Sequence, residues 1–120
     1  MSRSDIERLK TQVEAASSLD RELLAQADEV LRRTFSGVPA SSDAISGQVE
    51  YILHVVDSVL PTWTIQLTGK AMEPNGHWRC SLRRSRGSDE DELVGLGSGA
   101  VVGLALVAAL LHVAMQKTPH

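Results

Sequence analysis

Aromatic residues are scarce in this chain. Two Trp, one Tyr and one Phe are spread over 120 positions, so the core must be aliphatic and rich in alanine. The single cysteine, Cys80, excludes an internal disulfide and suits a reducing compartment. Neither sign of charge dominates: a net charge of -3 gives no whole-molecule field directed at nucleic acid or anionic lipid. The opening residues lack an apolar run, and Arg3, Asp5, Glu7, Arg8 and Lys10 are unlike a secretory signal peptide. Internal repeats and low-complexity linkers are missing as well. What the chain does have is one long uncharged segment. From Leu93 to Met115 there is no Asp, Glu, Lys or Arg, and the acidic run Asp89–Glu92 stands directly before it.

A chain of this length is long enough for one domain with a real core. Three helical patterns come first. Ser4 and Glu7 have the spacing of a capping box, and Ile6, Leu9, Val13 and Ala16 follow at helical intervals. Ser17 and Ser18 mark a break, because their hydroxyls compete with the helix backbone. A second helix begins near Leu19, with Leu23, Ala27, Val30 and Leu31 on one face, and ends near Phe35, Ser36 and Gly37. Ser42 or Asp43 caps a third, striped by Ile45, Val49, Ile52 and Val56 and stopped by Pro61.

The period then changes to two. Trp63, Ile65 and Leu67 alternate with Thr64, Gln66 and Thr68, as in a half-buried strand. Glu73-Pro74-Asn75-Gly76 carries turn chemistry. In 77–83, Trp78, Cys80 and Leu82 take one face, and His77, Arg79, Ser81 and Arg83 the other. A polar loop over 84–91 leads to a short third strand near Glu92–Leu96. Gly95, Gly97 and Gly99 then read as a loop entering a final helix over Ala100–Met115.

That final segment has two readings. One is a tail anchor spanning 96–115, supported by the small-residue spacing of Gly99 and Gly103. The other is a core helix. The glycines shorten the continuous helix to about sixteen residues against the roughly 20 a span needs. The run carries His112 and lacks interfacial Trp or Tyr, and the hairpin needs a cover for its apolar face. The core helix is the stronger reading.

Chemistry-bearing residues form no constellation. Gly95-x-Gly97-x-Gly99 lacks the spacing of a dinucleotide fingerprint and has no Gly-Lys-Ser/Thr. Cys80 and His77 point to opposite faces of a strand. His54 and Asp57 share a helix face and read as a solvated pair. His112 is either a buried neutral histidine or one favoured by the helix end. The histidines and Cys80 show no metal-ligand spacing, so no cofactor or metal is expected. Arg79, Arg83, Arg84 and Arg86 make the only basic cluster and are the candidate contacts for nucleic acid or another partner. The acidic run after them offsets their field. The element order also resembles double-stranded RNA-binding domains, but the last helix opens on Ser98, Gly99 and Ala100 without a lysine, which argues against RNA.

Three segments together resemble a family of small phage and prophage proteins from alphaproteobacteria. Ile6, then Glu14-Ala15-Ala16 followed by Asp20-Arg21-Glu22-Leu23, is similar to their opening. Ser42-Asp43-Ala44-Ile45 and Val59-Leu60-Pro61-x-Trp63 resemble their middle. Leu104-Ala105-Leu106-Val107-Ala108-Ala109-Leu110-Leu111 resembles their closing helix. This is the phage ABA-sandwich, or Bacillus-phage-protein-like, group. Two features differ: Ala100-Val101-Val102-Gly103 stands where the family has Thr-Pro, and Ser17-Ser18 where it has Gly. The resemblance implies a soluble helix–sheet–helix domain and no activity that transfers.

The expectation is therefore an α+β fold: a small antiparallel sheet of two or three strands packed between helices. Residues 1–38 form an N-terminal helical pair and 39–117 the sandwich-like domain. The expected function is that of a non-enzymatic accessory or interaction protein of phage or prophage origin in the cytoplasm. A tail-anchored protein and a nucleic-acid binder are the alternatives. A closed monomer is favoured slightly over a homodimer, provided the first two helices fold over the last.

Overall fold

The computed structural model describes residues 3–38, 48–69, 78–84 and 94–117. Its elements are α1 (Arg3–Ala15), α2 (Arg21–Thr34), α3 (Gln48–Val59), β1 (Trp63–Thr68), β2 (Trp78–Arg84), β3 (Val94–Gly99) and α4 (Val102–Lys117). The fold is α+β. Two N-terminal helices precede a helix–sheet–helix arrangement, and the sheet is an antiparallel meander in the order β1-β2-β3.

α1 buries Ile6, Leu9 and Val13, the stripe expected from their spacing. Ser4 lies inside the helix, so the expected box with Glu7 does not cap it. Arg3 is already helical, which moves the start ahead of Ser4. The break at Ser17 and Ser18 is present. α2 is capped by Asp20, whose carboxylate accepts from the Leu23 amide at 2.8 Å. Past its end, Gly37 takes a φ of 85°, the left-handed conformation that glycine adopts without a Cβ clash. The Ser42/Asp43 cap, the Asn75-Gly76 turn and His77 lie outside the described residues.

The final uncharged segment departs most from expectation. Gly95, Gly97 and Gly99 are not a loop: they are the inward positions of β3, which runs from Val94 to Gly99 rather than ending at Leu96. α4 crosses directly over them. A Cβ at Gly97 would stand 2.6 Å from the Ala105 carbonyl oxygen and closer still to the Ala109 amide nitrogen. Backbone therefore meets backbone between strand and helix, with Ala105, Ala108 and Ala109 supplying the small side of the helix.

The segment 96–115 is thus part strand and part helix, and α4 is buried along almost its whole length. No described helix is long and apolar enough to cross a membrane. Gly99 and Gly103 belong to different elements, so their spacing makes no helix-pairing stripe. α1, α2 and α3 all pack on α4, and one hydrophobic cluster joins the four helices to the sheet. That arrangement explains why α4 is apolar all round: it has neighbours on every side.

Candidate functional site

The register divides the sheet into two faces. Trp63, Ile65 and Leu67 share one with Trp78, Cys80, Leu82 and the three β3 glycines, and α4 lies against it. The other face carries Thr64, Gln66, Thr68, Arg79, Ser81, Arg83, Val94, Leu96 and Ser98. This second face floors a cleft of about 490 Å³, walled on one side by Lys10 and Glu14 of α1.

Glu14 ties that wall to the sheet. One carboxylate oxygen accepts from the Lys10 ammonium at 3.1 Å, from the Ser98 amide at 3.1 Å and from the Ser98 hydroxyl at 3.3 Å. Two side chains of α4 hold the same strand. His112 Nδ1 accepts from the Leu96 amide at 2.8 Å, and the Gln116 amide nitrogen donates to the Val94 carbonyl at 2.7 Å. Burial, followed by the nearby Lys10 charge, holds His112 below its ordinary value of 6.5, with Glu14 opposing and Arg3 adding slightly. A neutral ring with Nδ1 accepting places its proton on Nε2.

On the open face, in the middle of the outer strand β3, Leu96 is 50% exposed, next to Ser81 across the strand pair. Arg79 and Arg83 share this face, as their alternation predicts, and both are exposed. Arg84 takes the alternate register position, opposite Trp63, and Arg86 lies outside the described residues. The four arginines therefore do not form one register row.

The other candidates are absorbed by the fold. Cys80 is buried against α4, and desolvation pushes its thiol up to about 11, far from a reactive thiolate at neutral pH. His54 and Asp57 are exposed and make no hydrogen bond with each other. No group of three or more metal-ligating side chains occurs among the described residues.

Sequence reasoning passed over one buried polar pair. Asp28, 6% exposed, accepts from the Tyr51 hydroxyl at 3.0 Å. Desolvation raises the Asp28 carboxyl, while Tyr51 and Arg32 act to lower it. Tyr51 is pushed up to about 12, by burial first and then by the Asp28 bond. The pair joins α2 to α3. Its signal was readable as a lone carboxylate inside the Ala27–Val30–Leu31 stripe. Lys10 and Glu14 were missed for a different reason: only the return of α1 to β3 brings them to the site. Comparison with protein-family models, with curated proteins and with solved structures gave no match to this chain.

Proposed function

We propose that the protein is a non-enzymatic interaction module of phage or prophage origin, acting in the bacterial cytoplasm. Its partner is a protein, met by the open face of the sheet. The observation that carries this reading is Leu96. A leucine half exposed in the middle of a strand, in a cleft whose lining also includes Lys10, Arg79, Gln66 and Ser81, has the composition of a small interface: an apolar residue among polar ones. The exposed guanidinium groups of Arg79 and Arg83 favour an acidic partner surface. Among the described residues, Cys80, His112 and Asp28 are each occupied by burial or by a structural hydrogen bond.

Nucleic acid is the second reading, because Arg79 and Arg83 share one face and could contact phosphates. Both described tryptophans stand on the opposite face, so they offer bases no stacking platform here.

Cross-linked capture from host cells separates the readings. Leu96→Ser and the double variant Arg79→Glu/Arg83→Glu should each lose the same protein partner at least tenfold, with melting temperatures close to wild type. Retention of that partner by both variants removes the open face as the interface. Salt-dependent binding to a single- or double-stranded oligonucleotide, lost in the arginine variant but kept in Leu96→Ser, supports nucleic acid instead.

A further inference from the structure

The two edges of the sheet differ in chemistry. On β3, the Leu96 and Ser98 amides and the Val94 carbonyl point away from β2 and are met by His112, Glu14 and Gln116. Because main-chain direction alternates along a strand, Gly95, Gly97 and Gly99 must bond to β2. It follows that Arg79, Ser81 and Arg83 turn their main-chain groups toward β1. Ile65 and Leu67 then direct their N–H and C=O groups outward, at the outer edge of the described sheet. Trp63 also faces outward, and its amide is already donated to the Leu60 carbonyl at 3.0 Å.

Among the described residues nothing caps Ile65 or Leu67. β1 also lacks the usual edge protection, since Trp63–Thr68 contains no charge, proline or glycine. Leu67, on the α4-facing side, is 36% exposed.

We propose that two copies of this chain pair antiparallel through β1 about a two-fold axis at Gln66, joining their three-stranded sheets into one. Strand chemistry selects this register. With Gln66 opposite Gln66 of the second copy, Ile65 faces Leu67 and Leu67 faces Ile65. Every outward N–H and C=O of those two residues then finds its complement. Centring the axis on Ile65 would need the Trp63 amide, which is already engaged. The chosen register also sets Ile65 and Leu67 of both copies side by side on the α4-facing side, covering the exposed leucine. No like charges meet, because β1 has none. A two-fold contact uses the same patch twice, which an uncharged alternating strand satisfies with itself. The inference rests on the edge of β1 and not on the proposed partner, although Gln66 also lines the cleft.

Cysteine cross-linking of the full chain tests the register. The Gln66 pair is non-hydrogen-bonded, with Cβ atoms about 4.5–5.5 Å apart, close enough for a disulfide to draw them together. Gln66→Cys should yield a covalent dimer on mild oxidation, since native Cys80 is buried and does not compete. Thr64→Cys alone should not cross-link. Mixed with Thr68→Cys it should, because those positions oppose each other in this register. Light scattering should show the wild-type chain at twice its monomer mass, and Leu67→Lys should lose the dimer while keeping its far-UV spectrum. A wild-type chain that stays monomeric at hundreds of micromolar overturns the proposal. So does cross-linking that ignores the register.

Discussion

At the residue scale, Gly97 is the described glycine at which an added Cβ would meet its neighbours most closely. Helix and sheet normally keep a layer of side chains between them; here the strand contributes hydrogen atoms alone at its inward positions. Adding one methyl forces β3 and α4 apart, because the atoms it meets are main chain and cannot rotate away. Gly97→Ala should therefore destabilise at the upper end of the roughly 1–3 kcal/mol typical of overpacked cores. Gly37→Ala is a useful contrast. Nothing lies within 4 Å of a Cβ there, so only the left-handed backbone resists, at roughly 1–2 kcal/mol. Urea titrations of the two variants should rank them in that order. If Gly97→Ala melts like wild type, the close approach of α4 is wrong.

At the scale of elements, β3 is an edge strand stitched down by two helices. His112 is the stitch that titrates. Its pKa in the folded protein is below the ordinary 6.5, so the stability it contributes is complete above 6.5 and is lost as pH falls from there through the lower folded value. Protonation also turns the Nδ1 acceptor into a donor facing the Leu96 amide. Lys10 and Arg3 push the same way, and Glu14 resists. Asp28 works in the opposite sense, since its raised pKa favours the fold as pH falls. His112→Gln isolates the histidine: it keeps an acceptor without the titration. Comparing denaturant midpoints at pH 7 and pH 5, wild type should lose about 1 kcal/mol more than His112→Gln. Equal slopes for the two proteins would falsify the role given to His112.

The same elements show what a sequence pattern carries. Alternation in Trp63–Thr68 and in Trp78–Leu82 displayed both the strands and the common face of Arg79 and Arg83. β3 was harder to see because its inward residues are glycines. A strand whose core side has no side chains gives no hydrophobic rhythm; the apolar half of the contact is written in α4 instead. The candidate site was half legible for a related reason. Its floor follows from local alternation, whereas Lys10 and Glu14 reach it across a chain separation of 84 residues, measured from Glu14 to Ser98.

At the scale of the whole molecule, α4 is the axis to which every layer is fixed. α1 places Ile6, Leu9 and Val13 against the shared core, and α2 adds Val30 and Leu31. At roughly 1.5–3 kcal/mol for each large aliphatic side chain buried, those contributions rival the entire stability of a typical domain, about 5–15 kcal/mol. A shortened chain beginning at Pro39 should therefore lose its cooperative thermal transition and bind a hydrophobic dye. A sharp, reversible melt from that shortened chain would show that the first two helices are dispensable.

The central place of α4 also sets a timetable for biosynthesis. It is the last of the described elements to be made, and α1, its neighbour in the core, is the first. At roughly 5–20 residues per second, about 5–20 s separate translation of Val13 from that of Val113. During that interval the aliphatic stripe of α1 has no native surface to settle on, and β3 cannot receive its caps from His112 and Gln116. The nascent chain therefore passes through a period in which greasy helices and an open strand edge coexist. Holding chaperones should meet it then, and a slow codon placed late in the gene would lengthen that exposure more than one placed early.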